Sequence, residues 1–415
     1  MYGNRVVVTG MGAMTPIGLS ADEYWRNLKA GVSGVARIAA FDASEYPVQI
    51  AAEVKGFDPG NYMDRKAARR VARFAQLSIA AAGQALCDAR LTVDESNAWR
   101  VGAIVATGGG GIGEVATETE TLLSRGWERV GPMMVPLMIA NMASCQVSMT
   151  YGIKGPVVTN TAACAAGVYA VFEALHFLRR GDADAILTGG TESALLPLAF
   201  ISLARTGALT RRGGDPTKAS RPFDRDRDGF VFGEGAGVLV LETLDHAQRR
   251  GARILAEVVG ASTTADAYHV SAPDPSGESA RRAILGAIAD ADLRPDDVDY
   301  VCAHGTGTPL NDASETRALK MALGEHAYRI PVSSVKSMVG HLLGAAGAMS
   351  ALACVQALNE GVIPPTINLD TPDPECDLDY VPWQPRALPI RTAMMNGFGF
   401  GGQNSVVVFK KWEDG

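Results

Sequence analysis

The sequence predicts an α/β protein made of two similar halves, and three observations carry that prediction. Short apolar runs of four to seven residues alternate with longer helical patterns along the chain. Within 164–180 the apolar residues Val168, Val171, Phe172, Leu175 and Leu178 fall at i, i+3, i+4, i+7 and i+10, one face of a helix; Arg179, Arg180 and Gly181 then supply a basic last turn and a glycine stop. The order of elements in the first part of the chain recurs in the second.

In chain order, residues 5–9 (RVVVT) read as a short buried strand, followed by 101–107 (VGAIVAT), 156–159, 185–188 and 237–241 (GVLVL). The second part repeats them. Residues 254–260 (ILAEVVG) resemble the opening strand. Residues 298–303 (VDYVCA) run into a Gly/Thr loop, as 101–107 run into 108–111. Residues 330–335 lead into a small-residue helix at 340–358, mirroring 156–159 and the helix at 164, and 405–409 (SVVVF) pair with 237–241. The halves are placed at 1–253 and 254–415.

Composition bounds the function. Of 415 residues, 47% are hydrophobic and 20% charged, the balance of a globular protein. Lys plus Arg is 38 against 45 Asp plus Glu, a net charge of −7, which argues against a generally basic nucleic-acid binder. The apolar run near the start is too short for a signal-peptide core, and the longest apolar stretch, 342–358, is mostly Ala and Gly and falls short of a membrane span. Six cysteines without a CxxC pair fit a reducing compartment, so a soluble cytoplasmic protein is expected.

Three patterns mislead. Gly108, Gly110 and Gly113 satisfy the dinucleotide fingerprint, but so do Gly397, Gly399 and Gly402 in this glycine-rich chain, and no acidic residue follows a clear second strand. Asp224, Asp226, Asp228 and Gly229 imitate a calcium loop whose twelfth position is Gly235, so they read as a charged turn. The six histidines show no zinc-ligand spacing, and no metal is expected.

Cys164 stands apart from the other five cysteines, which read as small buried apolar residues. It lies in NTAACAAG (160–167), after a strand and at the start of an amphipathic helix, where free N–H groups and the helix dipole favour thiolate and small neighbours leave room for substrate. His304 lies in AHGTGT (303–308) at a strand end, and His341 opens the helix in KSMVGHLLGAAG (336–347). By the repeat, His341 and Cys164 occupy similar helix starts in the two halves. A histidine there stays neutral and can donate to a developing oxyanion.

Through these residues and the motifs around them, the chain resembles the β-ketoacyl-acyl-carrier-protein synthases of the condensing-enzyme, or thiolase-fold, superfamily, and looks closest to the type II elongation enzymes. The resemblance spans nearly the whole chain. It runs through VVVTGMGAMTPIG (6–18), TAACAAG, RPFDRDRDGFVFGEGAG (221–237), AHGTGTPLND (303–312), SVKSMVGHLLGAAG (334–347) and GFGFGGQN (397–404).

That resemblance implies a five-layer αβαβα thiolase-like fold, a homodimer, and decarboxylative condensation of acyl-Cys164 with malonyl-acyl-carrier-protein in fatty-acid elongation. The alternative is a discrete ketosynthase of a polyketide or other specialised pathway. A silent dimer partner would lack the nucleophile, which this chain keeps. No cofactor is implied, since substrates ride on the phosphopantetheine of acyl carrier protein; neither is a nucleic-acid or membrane partner. His304 and His341 would hold the malonyl thioester carbonyl and the enolate. The N–H groups of Cys164 and Phe400 would form the oxyanion hole, with Phe400 also gating the acyl pocket. Lys336 matches the family's active-site lysine and Glu315 its supporting acid, both organising charge around the histidines. Thr306 and Thr308 match the residues holding the pantetheine arm, and Phe398 is assigned to the substrate pocket. Gly109 replaces a bulkier aliphatic residue at the acyl pocket, with Met133, Met134 and Met138 as pocket-floor or dimer-contact residues. Gln403 stands where threonine is common. Lys66, Arg69 and Arg70, at i, i+3 and i+4, and Arg205 would face the acidic carrier.

Overall fold

Mostly continuous apolar runs, buried on both faces, build a ten-stranded sheet in the computed structural model, which describes residues 3–413; positions 1, 2, 414 and 415, included in the halves 1–253 and 254–415, lie outside the described residues. The strands are β1 (Val6–Met14), β2 (Val101–Ala106), β3 (Val157–Val158), β4 (Ala185–Glu192), β5 (Gly235–Thr243), β6 (Ala256–Ala265), β7 (Tyr300–Cys302), β8 (Val332–Ser333), β9 (Thr392–Gly399) and β10 (Gln403–Lys411). Their spatial order is β8-β7-β9-β10-β6-β1-β5-β4-β2-β3.

That order is the same sequence of elements read outwards twice from the centre. In the first half β1 pairs antiparallel with β5 and β5 with β4, then β4–β2 and β2–β3 are parallel. In the second half β6–β10 and β10–β9 are antiparallel, then β9–β7 and β7–β8 parallel. Among the strands of the described residues, Val6–Val8 against 256–258 join the two sets.

The main helices are α1 (Arg73–Ala89), α2 (Ile112–Arg125), α3 (Met142–Tyr151), α4 (Ala166–Arg180), α5 (Pro197–Thr206), α6 (Glu278–Asp290), α7 (Pro309–Leu323) and α8 (Ala346–Glu360). Alternation along the strands sorts side chains into layers. Ile104, Ile186, Leu239 and Leu241 pack on α4 and α8, whereas Ala103, Val105, Leu187, Val238 and Val240 pack on α1 and α3. In the second half Met395, Val407 and Phe409 face α4 and α8, and Met394, Val406 and Val408 face α6 and α7. The result is α1/α3, sheet, α4/α8, sheet, α6/α7: the five layers expected.

The two central helices correspond at an offset of 180 residues. Each follows a 3₁₀ turn, Ala163–Ala165 and Leu343–Ala345, and each ends on a left-handed glycine, Gly181 and Gly361. They cross at Gly167 and Gly347, where a Cβ would stand 2.9 Å from the Gly344 carbonyl and 2.4 Å from the Val168 nitrogen, so only glycine permits the contact.

Several elements differ from expectation. β4 continues to Glu192 and β1 to Met14, through glycines that sequence reading takes as strand ends. β9 was absent from the expected strands because TAMMNGFG mixes Met, Asn and Gly without alternation; burial between β7 and β10 makes it a strand. The helix expected over 340–358 begins at Ala346, since the backbone of His341 is bridged to residues 231–233: His341 N–H donates to the Val231 carbonyl (2.7 Å) and Gly233 N–H to the His341 carbonyl (3.0 Å). By the 180-residue offset the counterpart of Cys164 is therefore Gly344, with His341 three residues before it.

Candidate active site

The loops leaving β2, β4, β7 and β9 converge around the 3₁₀ turn that carries Cys164, as strand ends do in α/β folds. Ala163, just before it, is held at φ +47°, a costly left-handed conformation for a residue with a Cβ. The turn after β9 packs directly on it: a Cβ on Gly399 would lie 2.8 Å from the Ala162 carbonyl and 3.3 Å from the Cys164 nitrogen. This brings the Phe400 N–H to the sulfur. Burial pushes the Cys164 thiol up to about 11, with Glu192 adding to the rise; the Lys336 charge and the N–H groups of Phe400 and Cys164 pull it back. The thiolate expected at the helix start is thus outweighed by complete burial in a 3₁₀ turn.

A cavity of about 350 Å³ is lined by Cys164, His304, His341, Thr306, Phe398 and Phe400, with Thr308 and Glu315 also on its wall. The two imidazole rings stand edge to face with centroids 5.5 Å apart, and Phe230 and Phe398 flank them at 4.9 and 5.8 Å. Burial holds both histidines well below the usual imidazole range, and the Lys336 charge adds to this, so both are neutral at pH 7. The Leu343 N–H donates to His341 Nδ1 (3.2 Å), which places the ring proton on Nε2. That Nε2 is buried and has no hydrogen-bond partner among the described residues. It is a donor available to a substrate oxygen.

His304 is positioned through its backbone. Glu315 accepts from the N–H groups of His304 (2.7 Å) and Gly305 (2.8 Å) and from Asn396 Nδ2 (2.9 Å), while Lys336 Nζ donates to the His304 carbonyl (2.5 Å). Glu315 and Lys336 are 1% and 2% exposed; burial raises the first and lowers the second, each towards its neutral form. The Thr306 and Thr308 hydroxyls are 3.0 Å apart, and Thr308 also caps α7 through the Asn311 N–H.

Other expected site residues lie elsewhere. Gly109 is not on this cavity: a Cβ there would point at Glu192 Oε1 (3.4 Å), because the 108–109 amides are bonded to that carboxylate. Met133, Met134 and Met138 are likewise off the cavity, and Met133 is 43% exposed. Lys66, Arg69, Arg70 and Arg205 are exposed. The helix at Arg65–Ala68 is a single turn, so Arg69 and Arg70 lie beyond it; Arg205 lies in the last turn of α5, next to Thr206–Ala208 on the cavity wall. Gln403 begins β10, where its Oε1 is buried without a partner among the described residues.

Two acids escaped sequence reading. Asp312, wholly buried, accepts from the N–H groups of Thr306, Gly307 and Phe223 and stands 3.6 Å from Arg227, fixing the loop after His304. Glu192 accepts from the first half's 107–109 loop and from Gly344 of the second. Phe223 and Gly344, 89 and 152 residues away, are partners that no local spacing betrays. Asp224, in the calcium-like turn, is buried against Arg221 and the N–H groups of Asp226, Asp370 and Thr371.

Comparison with known proteins adds the following. Residues 3–247 match the family described as beta-ketoacyl synthase, N-terminal domain, and residues 255–370 the family's C-terminal domain. A relative from Synechocystis sp., named 3-oxoacyl-[acyl-carrier-protein] synthase 2, is 50% identical over 409 residues, covering 99% of this chain and 98% of its own. The ishigamide ketosynthase/chain length factor superposes with a TM-score of 0.93 at 37% identity, covering 99% of this chain and 100% of its own. A ketosynthase described in complex with its type II polyketide acyl-carrier protein superposes with a TM-score of 0.89 at 35% identity, with the same coverage.

Proposed function

The chain belongs to the β-ketoacyl synthase family, and from that premise we propose that it is a 3-oxoacyl-acyl-carrier-protein synthase carrying out the decarboxylative condensation step of fatty-acid elongation. The higher identity to the Synechocystis relative than to the polyketide ketosynthase favours elongation over a specialised pathway.

The observation that carries the reading is the free Nε2–H of His341, fixed by the Leu343 N–H, in one cavity with neutral His304 and Cys164. Cys164 sulfur attacks the thioester carbonyl of an acyl carrier, the tetrahedral oxyanion lies on the Cys164 and Phe400 N–H groups, and the carrier thiol leaves with the proton. Malonyl carrier then loses carbon dioxide; the electron pair of the broken C–C bond becomes an enolate whose oxygen accepts from His341 Nε2–H and from His304. The enolate carbon attacks the acyl carbonyl, the bond to Cys164 breaks, and its sulfur takes up a proton. The balance needs no redox or metal cofactor. Lys336 and Glu315 act through the backbone of His304 and are positioning residues. Thr306 and Thr308 would bind the pantetheine arm, with Phe398 along the cavity wall and Phe400 at its rim.

The same proposal includes acyl carrier protein as partner, docking on Lys66, Arg69, Arg70 and Arg205, and a cytoplasmic location. It also includes a homodimer: Leu123, Trp127, Met133 and Val135, on α2 and the segment after it, are 83%, 76%, 43% and 59% exposed, an apolar surface suited to a second copy that would also bring the 133–138 segment towards the acyl chain. The divide at 253/254 is supported by the gap between the two family matches. The test is intact mass after incubation with acyl-carrier thioesters, followed by malonyl carrier. A single adduct on Cys164, then 3-oxoacyl product, is expected, with no adduct on Cys164→Ala; an adduct of equal extent on that variant refutes the assignment.

A further inference from the structure

Glu192 is fully buried at the end of β4, and its carboxylate is near enough to Cys164 to raise the thiol. Four donors converge on its carboxylate. Oε2 accepts from the N–H groups of Gly108 (2.8 Å) and Gly344 (3.0 Å), and Oε1 from the Gly109 N–H (3.2 Å) and, at 3.3 Å, the Thr107 hydroxyl. Three of these come from the first half of the chain and one from the second.

The pseudo-symmetry says what this place is. Glu192 ends β4 as Gly399 ends β9, and Gly344 stands where Cys164 stands. In one copy, the N–H groups of Cys164 and Phe400 surround the reactive sulfur. In the other, the equivalent N–H of Gly344 meets a carboxylate of the protein itself. The second anion hole is filled from within.

The bond to Gly344 reaches the chemistry in two steps. Gly344 follows Leu343, which is held at φ +43°, a conformation a leucine adopts only under constraint. The Leu343 N–H is the group that fixes His341 Nδ1 as acceptor. Release of the Gly344 N–H would let Leu343 relax to a right-handed conformation and turn its N–H away from the imidazole. We propose that Glu192 is a positioning residue for the decarboxylating half-reaction: it pins the 343–344 turn so that His341 presents Nε2–H to the enolate oxygen. This rests on the role given to His341 above.

Two variants test it independently. Glu192→Gln keeps the size of the group but sets an NH₂ against N–H donors. Gly108→Ala keeps the charge and displaces it, because the new Cβ would lie 2.7 Å from Glu192 Oε2. Malonyl-carrier decarboxylation and Cys164 acylation are measured separately, by carbon dioxide release and by intact mass. Both variants should lose decarboxylation by at least about tenfold, given that an ångström of misplacement costs up to about a hundredfold, and keep acylation within about threefold. Glu192→Asp, which retains the charge, should recover part of the loss. In Glu192→Gln the rate of Cys164 alkylation should rise, because the carboxylate opposes thiolate formation. Unchanged decarboxylation in both variants overturns the proposal, and so does an equal fall in both half-reactions, which marks a merely structural bolt. If Glu192→Gln does not fold, Gly108→Ala decides by the same criteria. A wild-type protein inactive in both half-reactions refutes the condensing assignment instead.

Discussion

Gly399→Ala tests whether the turn after β9 supplies half of the oxyanion hole. The backbone at 399 has no left-handed requirement, so the effect comes from space alone. The added Cβ would stand 2.8 Å from the Ala162 carbonyl oxygen and 3.2 Å from the Ala165 nitrogen. Ordinary carbon–oxygen contacts begin near about 3.3 Å, so the two turns must separate by roughly 0.5 Å. Both are backbone, and neither can rotate away. The displacement falls on the Phe400 N–H, the next group along the chain. Complete loss of an oxyanion donor costs ~10²–10³ in rate, and a half-ångström shift should cost about 10- to 100-fold. Overpacking should cost ~1–3 kcal/mol of stability. The assay is single-turnover acylation of Cys164 followed by intact mass, beside malonyl decarboxylation in the same variant. Acylation should fall by the stated factor while decarboxylation changes by less than about threefold, since Glu315 and Lys336 bond the backbone of His304 and the Leu343 N–H bonds His341, none of them at the displaced turn. Acylation at the wild-type rate, or equal loss of both activities, would refute the placement of Phe400 N–H in the hole.

Further expectations concern stability and docking. Glu242, buried and bonded to Arg250, His246 and Thr9, is held down to about 2 from 4.5. A carboxylate with a depressed value stabilises the fold above pH 4.5 and loses that contribution as pH falls towards 2. The shift corresponds to about 3 kcal/mol. Glu242→Gln should therefore lose about that much at pH 7 and flatten the acid limb between pH 4.5 and 2, read by urea melts at several pH values; an unchanged limb would show that the group does not titrate in this window. Reversing Lys66, Arg69, Arg70 and Arg205 to Glu should raise KM for carrier-bound substrates on the order of tenfold, less at high salt, while leaving turnover of a free pantetheine thioester intact. Equal loss with both substrates would remove these residues from the docking surface.

Much of the site was legible in order along the chain. Cys164, His304, His341, Lys336, Phe398 and Phe400 each stand in a short motif, and the fold brings all of them except Lys336 onto one cavity; Lys336 reaches it through the His304 carbonyl. Strand positions were also legible wherever Val, Leu and Phe form a short continuous apolar run, as in β5 and β10. Where Met, Asn and Gly replace them, as in β9, local propensity says nothing and burial between neighbours decides. The helix start at 340 was misplaced because Gly340–Leu342 have helix-compatible composition, but the His341 backbone pairs with Val231 and Gly233 instead.

By itself the sequence determined the α/β class and the doubled order of elements, and it singled out Cys164, His304 and His341 as the candidates for the chemistry. These follow from side-chain type and local periodicity, which act over a few residues. Only the tertiary structure decided how those groups are tuned. Burial turns Cys164 into a thiol pushed up to about 11 and keeps both histidines neutral, and the Leu343 N–H selects the tautomer of His341. Glu192, Glu315 and Asp312 hold the loops from inside. Desolvation and convergent hydrogen bonds between residues up to 152 positions apart exist only after the chain has closed on itself, so no window of sequence contains them.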